Sequence, residues 1–301
     1  MDFASIIFII GLISIKSIIT YPNYAKLYKK LLNKDNLFLD NFAIQRNAQI
    51  STNLKQISVD TSITSEKSGF QYFHDLFVKR HRKILTEAVK KQSVIILVII
   101  TLMIIGIKAN VDFKTKTNEI LLVYLPYFVF IMYLLNRSSS VTQAMFMNCD
   151  HSMLTYRIYR TPKVILGIFK ERLKTLIKIN LLPAVLMGGG LALLLYLSGG
   201  TDNPINYAIL FVSIIAMSIF FSVHYLVMYY LLQPYNVSTE MKSSTYKIVQ
   251  GLTYIVCWYM IQIRLPIFSF GIATIVFCIA YCLISLFLAY KYAPKTFKLR
   301  I

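Results

Sequence analysis

The chain has 301 residues, of which 56% are apolar and 15% charged, with a mean hydropathy of +0.59. A soluble domain typically carries about 25% charged residues, so this composition excludes a disordered chain and argues against an ordinary soluble globule. The 32 Lys and Arg against 13 Asp and Glu give a formal charge of +19; beside bilayer-length apolar runs, that excess reads as cytoplasmic loops and anionic lipid contact rather than nucleic-acid binding.

A helix needs roughly 20 apolar residues to cross the bilayer core. The candidate spans are 3–20, 93–109, 120–136, 176–198, 205–232, 247–263 and 265–290. The expected fold is therefore an all-α polytopic membrane protein of about seven transmembrane helices with cytoplasmic amphipathic helices. The first span starts without basic residues and has no small-residue cleavage site after it, so it reads as a retained helix over 1–20 rather than a secretory signal.

Segment 21–69 is too polar to span. Its QRNAQISTNLKQISVDTSITSEKSG stretch reads as a cytoplasmic linker. The pattern changes at Phe70. In GFQYFHDLFVKRHRKILTEAVKKQ, Phe70, Phe73, Phe77, Ile84 and Ala88 share one helical stripe, while Arg82 and Lys83 lie mostly off it. That spacing predicts a basic amphipathic helix over 70–91 lying in the membrane interface; the plainer alternative is an N-terminal extension of the next span.

The loop 138–175 is too long for a hairpin and too apolar for a linker. It predicts a short helix around 150–160, a break before Pro162 and a basic amphipathic helix entering the membrane near 176. Within it, Tyr156, Arg157, Tyr159 and Arg160 are placed to face cytosol or a partner, or only solvent and lipid.

Counting charges by loop sets the orientation. One side holds 27 of the 32 Lys and Arg, and the other only Lys108, Lys114, Lys116 and Arg264. The positive-inside rule then puts the N-terminus outside and the C-terminus in the cytoplasm of a multi-pass cell-membrane protein.

Little else in the chain points to chemistry. No Gly precedes a Lys, so a phosphate-binding GxxxxGK[ST] loop is excluded, and HExxH is absent. No catalytic, cofactor or metal site is read. The cysteines Cys149, Cys257, Cys278 and Cys282 have no zinc or disulfide spacing. His224, in FFSVHYLVMYYLLQPY, is a candidate pathway residue, or a neutral packing histidine with a neighbouring tyrosine belt. Ala184, Gly188 and Ala192 repeat every four residues, a spacing that lets helix backbones approach closely, within the bundle or across a dimer.

The stretches FMNCDHSMLTYRIYRTPK, FKERLKTLIKINLLPA, HYLVMYYLLQPY and YKYAPKTFKLR resemble the ABC exporter permeases of low-GC Gram-positive bacteria. The arrangement over 70–301 is similar to the permease subunit of a type-two ABC exporter: an interfacial helix, six spans, and a helical cytoplasmic loop between the second and third of the six. The resemblance implies a six-helix permease core with one extra N-terminal helix. It also implies a transport subunit rather than an enzyme, driven by a separate cytosolic ABC ATPase and paired with a second permease copy or paralogue among membrane lipids. Carried over by position, the coupling element falls at Asp150, Tyr156, Arg157, Tyr159, Arg160 and Lys163. Permeases of this kind also occur as longer chains, of which this would be the C-terminal part. Two other readings stand beside it: a non-transporting membrane scaffold, such as an assembly or immunity protein, and a membrane lipid-modifying enzyme.

Overall fold

The structure is a computed structural model that describes residues 62–157, 161–235 and 243–299, together with Lys29. The expected helix 3–20 and nearly all of the linker 21–69 lie outside the described residues. Apart from Lys29, the described residues belong to one compact unit, Ser58–Ile301. Their regular structure is helical, without a strand.

The first helix, α1 (Gly69–Arg80), stops at His81 and α2 (Arg82–Ala109) starts at once. The expected single interfacial helix 70–91 is thus divided, and Arg82, Lys83 and Ile84 belong to α2, which goes on into a bilayer-length apolar run. The cause is local. His81 leaves helical geometry at φ −99°, ψ 13°, stacks on Phe77 with ring centroids 4.4 Å apart, and donates from Nδ1 to the Phe77 carbonyl at 2.8 Å. The stripe on α1 is split between protein and surroundings. Phe77 is buried and Phe73 is half-exposed, while Phe70 lies so close to Gly167 that a Cβ there would sit 2.9 Å from its ring.

The run expected to span over 120–136 is also broken. It forms α3 (Val111–Val123) and α4 (Tyr127–Leu135). Asn110 starts α3 by accepting from the Asp112 and Phe113 amides. Pro126 has no amide hydrogen to donate to the Leu122 carbonyl, the Tyr127 amide turns to the Tyr124 carbonyl, and the Val123 carbonyl accepts from the Leu265 amide at 2.9 Å. Arg264 covers the Tyr124 ring at 5.3 Å, so the two corners at this end of the bundle are tied together.

Helix α5 (Ser138–Met145) runs into a wider π turn, Phe146–Asp150. The next helix, α6 (Pro162–Ser198), is continuous for 37 residues, about 55 Å at 1.5 Å per residue. Pro162 stands at its start, where a missing amide hydrogen costs nothing. The amphipathic segment and the span expected after it are therefore one rod, longer than the bilayer core is thick. After it come α7 (Ile205–Leu232), α8 (Ser244–Met260) and α9 (Ile267–Thr296).

Four of these helices, α2, α6, α7 and α9, are long and apolar enough to cross a membrane. Helix α7 is central: 67% of its most apolar stretch is buried, against 17–39% in the other three. The outer helices carry large apolar side chains on open surface, such as Val94, Leu102, Val276 and Leu283, as a lipid-facing surface requires. The small residues serve packing within the chain. Ala184 is buried, and a Cβ on Gly188 would meet the Phe211 carbonyl of α7 at 3.2 Å. Ala192 is half-buried.

Candidate functional site

The basic end of the bundle holds a fully enclosed ion pair. Asp150 ends the π turn, and Arg172 lies on α6 between the buried residues Ile168, Phe169 and Leu176. Both terminal nitrogens of Arg172 grip the carboxylate: Nη1 donates to Oδ2 at 2.6 Å and Nη2 donates to Oδ1. Asp150 is 0% exposed and Arg172 3%.

Two tyrosines of α7 complete the arrangement. Tyr229 donates to Asp150 Oδ2 at 2.6 Å, and Arg172 Nη1 also donates to the Tyr230 hydroxyl at 3.0 Å. The guanidinium sits 5.7 Å from the Tyr230 ring centre. On its other side Tyr230 stacks on Phe297, with centroids 4.2 Å apart, and its carbonyl accepts from Thr296 at 3.0 Å. One cluster therefore joins the α5 segment, α6, α7 and the end of α9. Two charges removed from water need this degree of mutual satisfaction, since breaking such a pair strands an uncompensated charge.

This geometry corrects one expectation. Asp150 faces the interior and has no surface to offer a partner. Tyr156, 63% exposed, and the exposed Arg157 and Lys163 do present themselves at this end. Tyr159 and Arg160 lie outside the described residues. Sequence reading missed Arg172, Tyr229 and Tyr230 as a site. The signal was there for Arg172: it interrupts the apolar stripe Ile165, Phe169, Leu176 at helical spacing, and an arginine on the buried face of a helix implies a buried partner. Burial pushes the thiol of neighbouring Cys149 up to about 11, which disfavours its thiolate.

His224 stands deeper in the bundle, beside a cavity of about 470 Å³ between α4, α7, α8 and α9. Its Nδ1 is 2.7 Å from the Tyr281 hydroxyl and its Nε2 is 3.0 Å from Thr253 Oγ1. Thr253 spends its own hydrogen on the Val249 carbonyl. It must therefore accept from His224 Nε2–H, which leaves Nδ1 to accept from Tyr281. Both nitrogens of a neutral imidazole are thus used, and the ring stacks on Phe220. His224 cross-links three helices. The rest of the cavity wall is almost wholly apolar, with Phe220, Val256, Phe270 and Phe277 prominent, so the space suits an apolar or amphipathic group rather than an ion.

Helix α8 reaches α4 mainly through aromatic side chains: Phe130 meets Tyr254 and Trp258 edge-on at about 6 Å. Among the described residues no cluster of His, Cys, Asp and Glu could hold a metal ion. Comparison of the chain with family models, curated proteins and solved structures finds no match.

Proposed function

We propose that this chain is the membrane-spanning permease subunit of an ATP-driven ABC exporter, forming half of a translocation path and driven by a separate cytosolic ATPase. The observation that carries the reading is the enclosed Asp150–Arg172 pair with its two tyrosines. It bolts the segment 138–157 to the long rod α6 and to the central helix α7. A push on the exposed Tyr156, Arg157 or Lys163 would reach both helices through a charge pair that resists opening. A transmission element needs this: one face open to the motor and the other locked to the moving helices. The apolar cavity beside His224 offers an amphipathic substrate a seat within the same bundle.

The remaining parts rest on the charge distribution and the resemblance. The basic end is cytoplasmic, the N-terminus is outside, and seven segments cross, with α3–α4 and α8 crossing as short or broken helices. A second copy or a paralogue supplies the other half of the path.

The test is purification from native membranes in mild detergent. A stoichiometric ATPase should copurify, and Arg157→Glu with Lys163→Glu should release it without unfolding the permease. Absence of any ATPase, under conditions that keep a known transporter assembled, would defeat the reading and favour the scaffold or the lipid-modifying enzyme.

A further inference from the structure

Where α1, α2 and α6 converge at the basic end, they enclose a second, polar pocket of about 550 Å³. Its wall carries six cations, Lys67, Lys79, Arg82, Lys90, Lys174 and Lys178, against two carboxylates, Asp75 and Glu171. Both carboxylates are already taken. Asp75 pairs with Lys79 at 3.1 Å and Lys67 at 3.5 Å, and accepts from Ser65. Glu171 pairs with Lys174 at 3.0 Å and accepts from Gln71. Among the described residues, Arg82, Lys90 and Lys178 are left around one cavity with no carboxylate partner. Three like charges around one space repel one another unless an anion joins them.

The rest of the pocket says what kind of anion. Part of its wall is apolar, with Val89, Ile179 and Leu182. Lys178 is the last charge on α6 before its apolar run, and Lys90 and Lys91 are the last on α2 before its own. The pocket therefore sits at the depth where both helices leave the polar zone. A free phosphate would use the cations and leave the apolar part of the wall bare. A phospholipid would use both, with its phosphate among the cations and its chains running down the apolar sides of α2 and α6.

We propose that this pocket is a binding site for the phosphate-bearing headgroup of an anionic phospholipid. Arg82, Lys90 and Lys178 hold the phosphate, and Val89, Ile179 and Leu182 receive the start of the acyl chains. The inference needs only that α2 and α6 cross a bilayer, and it stands apart from the exporter reading. Such a lipid would brace α1 against the two spans that α1 touches.

The experiment uses the full chain in phosphatidylcholine nanodiscs, titrated with fluorescent phosphatidylglycerol. The triple variant Arg82→Gln, Lys90→Gln, Lys178→Gln should weaken binding by about tenfold to a hundredfold, given roughly one kcal/mol per basic residue near anionic lipid. The charge-matched triple Lys83→Gln, Lys170→Gln, Lys298→Gln, none of which lines the pocket, should weaken binding far less than the pocket triple. Equal weakening by both triples would reduce the effect to general surface charge and overturn the site. Displacement of the lipid by glycerol phosphate at matched concentration would overturn the lipid assignment in favour of a soluble phosphate ligand. Should the pocket triple fail to fold, a photoreactive phosphatidylglycerol on the unaltered chain decides the matter. Cross-links confined to 79–95 and 174–185 support the site, and cross-links spread evenly along the bundle overturn it.

Discussion

Arg172 holds Asp150, which lies 22 residues before it, through two parallel hydrogen bonds, with both side chains withdrawn from solvent. The bond joins the π turn after α5 directly to α6. Removing either partner leaves a lone buried charge or an unmatched cradle.

For that reason Asp150→Asn or Arg172→Met alone should cost about 3–5 kcal/mol, read as a lowered thermal midpoint of the detergent-purified chain. The triple variant Asp150→Leu, Arg172→Met, Tyr229→Phe should regain most of the loss, because apolar replacements of similar volume remove both desolvation costs and leave no Tyr229 hydroxyl stranded. A single variant as stable as the parent would mean that the pair is solvated in the membrane.

Labelling decides the orientation. Ser140 is exposed on α5, and Asp202 is exposed at the opposite end. With the native cysteines replaced, Asp202→Cys should react with an impermeant thiol reagent in intact cells, and Ser140→Cys only after lysis. The reverse pattern would invert the topology.

His74 makes stability depend on pH. Burial, and then the Arg172 guanidinium, push its imidazole down from 6.5 to about 4, with Glu171 and Asp75 opposing and Lys67 adding to the shift. The unfolded chain takes up this proton near pH 6.5 and the folded one only near 4. Stability from this group is therefore complete above 6.5 and falls as pH drops towards 4, by at most about 3 kcal/mol. His74→Gln keeps a partner for Thr175, 2.9 Å away in the native chain, and should flatten melting temperature against pH over that window. An unchanged slope would assign the effect elsewhere.

Two glycines should respond oppositely. A Cβ at Gly271 would collide with Ile209 and lie 2.9 Å from Ser213 Oγ, whereas one at Gly251 meets nothing within 4 Å. Gly271→Val should destabilise by about 1–3 kcal/mol through overpacking of α9 on α7. Gly251→Ala should be neutral or stabilise by up to about 1 kcal/mol through helix propensity. Equal effects on the thermal midpoint would place Gly251 in a contact that the chain makes with something else.

Much of the architecture was legible because it depends on local apolar length and spacing. The run 205–232 is α7, and the apolar stripe that starts at Phe70 does begin a helix, α1. The breaks were harder to read. A hydropathy run does not register that His81 turns back onto Phe77, or that the chain near Pro126 bonds to Leu265 instead of continuing its helix. For 150–175 the break before Pro162 was legible, and α6 does open there; that it runs on as one helix to Ser198 was not.

By itself the sequence determined that this is an all-helical chain with bilayer-length apolar runs and a basic end, because helix period, run length and charge are properties of neighbouring residues. Only the tertiary structure decided which polar residues are enclosed. Asp150 reads as a loop residue until Arg172, 22 positions on, and Tyr229, 79 positions on, are brought around it. The same convergence of α1, α2 and α6 turns scattered lysines into one pocket. Desolvation and pairing depend on what meets in space, and one-dimensional spacing carries that information only where the partners share a helix.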